Sequence, residues 1–354
     1  CILEGMGIWP AIAEEAAPIQ CVHVSERNRI GLTTLKAHDY NVAALGYVVP
    51  NRSLGQALQM ALQKSDVHLF CPARWTQLQN ESDHVDLRLE TAQGEQRVTA
   101  RLLIAADGAR SKLREQLAIQ TREWDYNQHA IIVNVQPEQP HEGIAYERFT
   151  AEGPMALLPL SDNRYAVVLT VPAVEVDAIL ALSDDEFLTF LQQRFGMHKR
   201  FTRPGKRAHY PLKFIRARQQ SQGRVLLMGN AAHNLHPIAG QGFNLSLRDT
   251  ARLVDSLADN LITSGIDDDD GVEQVVQHYL QSHRRDQLIT SGFTDSLHRI
   301  FGNPLLPIRA LRGIGLMGLS LFPFAKNTLA RHTMGLAGKL PRLARGVPVK
   351  RNTP

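Results

Sequence analysis

Two short apolar runs, each ending at a glycine turn, limit what this 354-residue chain can fold into. The first is a strand over Arg101 to Ala106, apolar at every position after Arg101, that ends at Asp107-Gly108. The second, Arg224-Val225-Leu226-Leu227-Met228, ends at Gly229-Asn230. Strands that lack polar alternation belong to parallel sheets whose two faces are both covered by helices. Helical sequence follows each run, with Ser111 near the start of the first helix and a long amphipathic stretch beyond Gly242 for the second. The pattern predicts an α/β domain. In such sheets ligands sit at the carboxyl ends of the strands, where helix N-termini offer unpaired N–H groups to anions.

Between and before these junctions the period changes. Ile19 to Leu35 alternates around a charged turn and reads as a β-hairpin, and Tyr47-Val48-Val49-Pro50 as a strand feeding a helix from Arg52 to Lys64. Short strands are expected at Val67 to Phe70, Trp75 to Gln79, Val85 to Glu90 and Gln96 to Thr99. A second sheet is expected from His129 to Val171, with strands at Ala130 to Val135, Ile144 to Phe149, Met155 to Leu160 and Tyr165 to Thr170. Ser183 and Glu186 form a capping box that opens a helix through Phe195, and a strand recrosses from Arg207 to Ile215. Beyond Gly242 the chain reads as helical almost to its end, apart from an acidic turn at Asp267 to Asp270. The second sheet is thus bracketed by the two apolar strands, and the units interleave.

Charge divides the chain unevenly. The formal net charge is +4, but Asp295 is the last acidic residue and ten Lys or Arg follow it, so residues 1–295 carry −6 and the remainder +10. No nucleic-acid motif accompanies that basic end. Three widely spaced cysteines, Cys1, Cys21 and Cys71, suggest neither a disulfide framework nor a Cys-based zinc site and fit a reducing cytoplasm. The apolar stretch Gly313 to Ala325 is shorter than the ~20 residues that span a bilayer. No GxSxG elbow points to a hydrolase, His233 and His236 have no third ligand nearby in sequence, and Asp267 to Asp270 lacks EF-hand spacing, so no metal site is expected.

The most specific segment is Gly229 to Asp249. Gly240 and Gly242 remove side chains where backbone N–H groups would face a ligand, Pro237 supplies a rigid wall without a donor, and a helix starting near Gly242 would aim its positive end there. Asp107-Gly108 alone is a common βα turn.

Together these residues resemble a known family. Asp107-Gly108, the run from Gly229-Asn230 to Asp249 and its core His236 to Leu245 are similar to two fingerprints of the flavin-dependent aromatic hydroxylases of the para-hydroxybenzoate hydroxylase fold. The phrase His141 to Thr150 and the segment Thr294-Asp295-Ser296-Leu297 narrow the likeness to the ubiquinone-biosynthesis branch, above all the members acting on a 2-polyprenyl-6-methoxyphenol. The resemblance runs along essentially the whole chain. It implies a Rossmann-like FAD/NAD(P)-binding domain from residues 1–18, 46–120 and 216–265, an inserted antiparallel-sheet substrate domain from 19–45 and 121–215, and a helical C-terminal region over 266–354.

It also implies the chemistry. NAD(P)H reduces FAD, the reduced flavin captures O₂ as a hydroperoxide, and the phenol ring attacks the distal oxygen, while the protein binds, orients and excludes water. Asp107, Gly108 and Arg114 are expected near the FAD pyrophosphate and ribose, and Gly229 and Asn230 near its ribityl or pyrophosphate region. Pro237 would flank the isoalloxazine ring. Gly240, Gln241, Gly242 and Asn244 would lie at the ring's pyrimidine edge, where a helix dipole stabilises the reduced anion. Asn51 matches a further family position that contacts FAD. No catalytic acid or base is assigned.

One departure stands out. The family opens with a strand–GxGxxG–helix unit that cradles the FAD pyrophosphate, and no GxGxxG occurs near the start of this sequence, which opens as the end of a helix. The expectation is an N-terminally incomplete FAD domain that binds flavin weakly as this chain alone. The alternatives are a hydroxylase of the same fold acting on a different ring, or a catalytically silent scaffold in a quinone-synthesis complex. The apolar, basic stretch Leu311 to Leu336 is expected either to pack as a helical layer or to meet an anionic membrane or partner. The location expected is cytoplasmic, peripheral on the inner membrane.

Overall fold

The computed structural model describes residues 1–27, 32–150, 152–196, 199–236, 240–263, 269–302, 327, 330, 331, 334, 335 and 338–349. Its largest element is a mixed nine-stranded sheet. Strands β2 (Cys21–Glu26), β3 (Leu32–Lys36), β9 (Thr121–Pro137), β10 (Ile144–Thr150), β11 (Gly153–Pro159), β12 (Tyr165–Pro172), β14 (Ala208–Ala217) and β17 (His233–Asn234) run in the order β17-β14-β9-β12-β11-β10-β2-β3. Strand β13 (Phe201–Pro204), which the sequence pattern did not reveal, pairs with β9 across a register irregularity. All pairs are antiparallel except β10 with β2, which is parallel. The sheet is thus antiparallel as expected apart from this one pair, because β2 arrives from a distant segment and no tight turn forces it to run opposite to β10.

One face of this sheet is sealed. Alternation along β9, β11 and β12 turns Ile131, Val133, Val135, Met155, Leu157, Tyr165, Val167, Leu169 and Val171 to one side. Helices α5 (Val176–Ala181) and α6 (Asp184–Phe195) close over them with Ile179, Phe187, Leu191 and Phe195. The capping box of α6 forms as expected, with Ser183 Oγ accepting from the Glu186 N–H and the Glu186 carboxylate accepting from the Ser183 N–H. The β10–β11 turn requires Gly153: at φ +139° an added Cβ would lie 2.7 Å from the Thr170 methyl.

Three smaller sheets complete the fold. Strands β1 (Ala17–Ile19) and β4 (Gly46–Val48) form a pair that leads into α3 (Asn51–Gln63). Strands β5 (Ala73–Asn80), β6 (Val85–Thr91) and β7 (Gly94–Ala100) form a meander. Strands β8 (Leu103–Ala105), β15 (Ser221–Gln222) and β16 (Val225–Leu227) form the third sheet, in the order β15-β16-β8, with β8 and β16 parallel as the apolar runs predicted.

Two expectations fail in this region. Val67 to Phe70 forms no strand, and Val67, Leu69 and Phe70 are exposed, because no neighbouring strand among the described residues satisfies that backbone. The run ending at Ala106 is not buried on both faces: β8 lies at an edge and Ile104 is 42% exposed. Helices α7 (Gln241–Thr263) and α8 (Asp269–Gly302) pack together and cover β16 through Leu253, Val275, Val276 and Tyr279.

Asp267 and Asp268 of the acidic turn and most of the stretch Leu311 to Leu336 lie outside the described residues, while Asp269 and Asp270 open α8. The described C-terminal segment 338–349 is not α-helical but a short 3-10 turn at Leu343–Arg345. Arg342 ties this turn to α7 through Asp255 and Asp259.

Candidate active site

The two glycine junctions meet. Beyond β8, the Asp107 carboxylate accepts from the Leu113 N–H at 3.2 Å, and Ser111 Oγ caps α4 (Lys112–Gln116) by accepting from the Arg114 N–H at 3.0 Å. Gly108 makes the turn at φ +87°. Beyond β16, Gly229 turns at φ +57°, and the Met228 N–H reaches back to the Ala105 carbonyl at 3.0 Å.

Arg114 locks the junctions together. Its buried guanidinium donates to the Ala109 carbonyl in the first loop and to the Ala231 carbonyl in the second, both at 2.8 Å. Such charge-assisted bonds are stronger than neutral ones. Both terminal nitrogens therefore face protein backbone and brace the loops from beneath.

The second junction then joins the large sheet at β17, where Arg216 pairs with His233 and Ile215 with Asn234. From there it enters α7. Gly240 adopts φ +62°, and a Cβ added at Gly108, Gly240 or Gly242 would meet nothing within 4 Å among the described residues. Among the described residues nothing crowds these glycines, and two of them, Gly240 and Gly242, put bare backbone at the start of the 23-residue helix α7. Asn230, Phe243 and Asn244 are exposed, while Gln241 is buried.

Beneath this loop lies a polar network that local sequence pattern could not reveal, since three separate segments build it. His233 Nε2 is 2.9 Å from Asp249 Oδ2, both side chains buried. The Gln287 amide donates to the same Asp249 oxygen at 2.8 Å, and the Gln220 amide donates to Gln287 Oε1 at 2.6 Å. His283 Nε2 meets Gln220 Oε1 at 2.9 Å. Burial lowers the His283 pKa.

On the sheet side, Trp124 and Phe214 stack at 3.9 Å between ring centres and pack near Leu235 and Leu245, while Tyr126 sits edge-on to His236 at 5.1 Å. The Tyr126 hydroxyl donates to Asp295 of α8. An aromatic wall thus adjoins the glycine loop.

Hydrogen bonds of Asp107 and Arg114 hold the first loop and tie it to the Gly229–Ala231 turn, and α7, with Gln241, Gly242 and Asn244 in its first turn and Gly240 just before it, packs against that second turn. Asn51 opens α3 and is exposed; no hydrogen bond ties it to either loop among the described residues. Pro237 lies outside the described residues.

Bare backbone turned to open space before a long helix suits an anionic, flat cofactor such as a flavin dinucleotide. The family model "FAD binding domain" matches residues 1–269. The chain belongs to this FAD-binding family. Among its relatives is the ubiquinone hydroxylase UbiL of Rhodospirillum rubrum, 36% identical over 98% of this chain and 81% of that protein. The 3-demethoxyubiquinol 3-hydroxylase of Escherichia coli is 29% identical over 95% of this chain and 84% of its own length. Among solved structures, p-nitrophenol 4-monooxygenase from Pseudomonas putida superposes with a TM-score of 0.72 over 96% of this chain and 86% of its own, at 16% identity, and so shares the fold. The family thus supplies FAD as the cofactor.

Proposed function

We infer that this chain is an FAD-dependent monooxygenase that hydroxylates the aromatic ring of a polyprenyl-methoxyphenol in ubiquinone biosynthesis, with NAD(P)H and O₂ as co-substrates. The observation that carries this reading is the chain-long likeness to ubiquinone hydroxylases at up to 36% identity. The chemistry FAD supplies when bound is two-electron reduction by a nicotinamide and delivery of one oxygen atom from O₂ to the ring.

The chain's own residues bind and orient. The backbone at Gly240, Gln241 and Gly242, with Asn244 and the positive end of α7, would hold the flavin's pyrimidine edge and favour negative charge there. Asp107, Gly108, Gly229 and Asn230 would hold the ribityl and pyrophosphate groups, and Pro237 would flank the ring. We assign Arg114 to bracing these loops rather than to ligand contact, because its terminal nitrogens already bond Ala109 and Ala231. Asn51 enters on its sequence match alone. The division of labour we propose gives the flavin to residues 1–18, 46–120 and 216–265 and the ring substrate to 19–45 and 121–215.

The test is product analysis. Purified protein supplied with FAD, NADPH, O₂ and a polyprenyl-methoxyphenol should yield, by mass spectrometry, a product heavier by one oxygen atom. Oxygen insertion only into phenols without the prenyl chain would move the assignment to another hydroxylase of this fold. No insertion, together with rescue of a hydroxylase-deficient strain by an inactive variant, would mark a scaffold.

Among the described residues no helix is long and apolar enough to cross a membrane. A substrate with a polyprenyl tail and the +10 C-terminal end support a peripheral contact with anionic lipid on the cytoplasmic face of the inner membrane. Equal flotation with anionic and neutral vesicles would remove that contact.

A further inference from the structure

The turn at Gly229–Ala231 and the chain that follows it meet helix α7 at two points about one helical turn apart. A Cβ built on Gly229 would lie 3.8 Å from Ser246 Oγ, an ordinary van der Waals contact. Three residues further along α7, Asp249 Oδ2 meets His233 Nε2 at 2.9 Å, with 1% and 2% of the two side chains exposed. Ser246 and Asp249 share one face of the helix, as residues three apart do. Gly242 lies on the same stripe, seven residues before Asp249.

Each end of this contact is held from behind. His233 is fixed through backbone: it pairs with Arg216 of β14, and the Ala217 N–H donates to the Ala232 carbonyl at 2.9 Å. Asp249 is fixed by α8, where the Gln287 amide donates to the same Oδ2 at 2.8 Å. Its neighbours on α7, Arg248 and Arg252, both reach Asp286 of α8, at 2.9 and 3.2 Å. Asp249 is thus the point at which the second glycine junction, α7 and α8 are tied together. Apolar clusters also join these parts, Leu226 and Met228 with Leu253, and Leu235 with Leu245. Such contacts are non-directional and tolerate small shifts along the helix axis. A hydrogen bond sets both a distance and an angle.

Stability is a poor account of this pair. His233 Nδ1 and Asp249 Oδ1 are buried without a hydrogen-bond partner among the described residues, and buried polar atoms left in that state oppose folding. An apolar pair of similar volume would hold the same place at less cost. A polar pair present in spite of that cost is suited to fixing the position of α7 along its axis. That position matters where the helix begins: Gln241 lies eight residues, about 12 Å, before Asp249.

We propose that His233 and Asp249 are positioning residues that set how closely the positive end of α7 approaches the flavin, and so how readily the flavin accepts electrons. This rests on the flavoenzyme reading above, in which the pyrimidine edge lies at Gly240 to Gly242. Reduction adds negative charge at that edge, and the partial positive charge of a helix N-terminus acts only over about one turn. Neither side chain touches the flavin in this account; both act through the backbone of the turn and of α7. Loosening their bond lets the start of the helix draw back, which weakens reduced FAD more than oxidised FAD.

The experiment measures FAD affinity by fluorescence titration, the midpoint potential of bound FAD by spectroelectrochemistry, and the melting temperature without FAD. It compares wild type with His233→Ala, His233→Gln, Gln287→Ala and Phe187→Ala. His233→Ala should weaken oxidised FAD about 10-fold and reduced FAD about 100-fold, and the additional factor of about ten is a fall of about 30 mV for a two-electron couple. His233→Gln, which keeps a side-chain N–H able to reach Asp249, should recover most of that loss. Gln287→Ala removes the second donor to Asp249 and should lower the potential by a smaller amount, which keeps the test decisive if His233→Ala does not fold. Phe187→Ala, in the sealed core of the large sheet, should melt lower yet leave the potential unchanged.

A His233→Ala or Gln287→Ala protein that melts lower but keeps the wild-type potential would reduce the pair to a structural role and overturn the proposal. So would a His233→Gln protein that melts as wild type yet loses as much potential as His233→Ala. Both results leave product analysis, and the hydroxylase reading with it, untouched. A wild-type protein that takes up no FAD would remove both readings.

Discussion

Strands β8 and β16 lie side by side, parallel and similar in composition, yet their side chains meet different surroundings. All three residues of β16 are fully buried, while β8 exposes Ile104 to 42%. The difference lies in neighbours. β16 is flanked by β15 and β8 and covered on one face by α7 and α8 and on the other by Leu113 and Ala217. β8 pairs only with β16 among the described residues. An apolar run marks a strand able to be buried on both faces, and position in the sheet decides whether it is. The large sheet sharpens the contrast, because α5 and α6 complete its core from within one continuous stretch of chain.

The widest test of this contrast sets Phe187→Ala, in the sealed core, against Ile104→Ala at the exposed edge. The first should cost about 3–5 kcal/mol in chemical denaturation, the second less than about 0.5. Similar losses would show that the edge strand is as tightly held as the core.

Next in size, Asp249→Asn leaves buried His233 without its carboxylate and should cost about 3 kcal/mol. Arg114→Ala frees two buried carbonyls and should cost about 2–3 kcal/mol, with a matching loss of flavin on desalting. Arg114→Lys cannot span both loops and should recover only part of either. Thermal melts paired with flavin absorbance read these outcomes.

The smallest effect on stability, Gly242→Ala, tests the glycine loop itself. With open space ahead of it, the substitution should leave Tm almost unchanged but weaken flavin binding, measured by fluorescence titration. A large drop in Tm with normal flavin affinity would return this glycine to packing.

Glu147 adds a pH dependence of known sign. Its carboxyl is raised in the folded chain, so its contribution to stability is present below about 4.5 and lost as pH rises through about 8. Glu147→Gln should therefore gain Tm relative to wild type over that interval. A constant difference would show that the carboxyl titrates normally.

Much of the fold is legible in the residues because it is local. Alternation marks β6, β10 and β12, the Ser183–Glu186 box opens α6, and closely spaced glycines mark the start of α7. Val67 to Phe70 misleads because its apolar content matches a strand while the pairing that would make it one is a tertiary matter. Candidate site glycines are readable since their lack of a side chain is itself the signal. Arg114 is legible as a position but not as a brace, because its acceptors lie partly in a loop more than a hundred residues away. Glu147 sits in a phrase that marks the family, and nothing in that phrase says which face of β10 it occupies.

The sequence by itself determined the α/β class, the two strand–glycine–helix junctions, the likeness to flavin hydroxylases and the split between an acidic body and a basic end. These depend on periodicity, spacing and charge along the chain. Only the tertiary structure decided that Arg114 ties the junctions, that His233, Asp249, Gln287, Gln220 and His283 form one largely buried network, and that Glu147 makes no hydrogen bond or ion pair among the described residues. Hydrogen bonds and burial depend on which distant segments meet, and pairing across sheets and helices sets that.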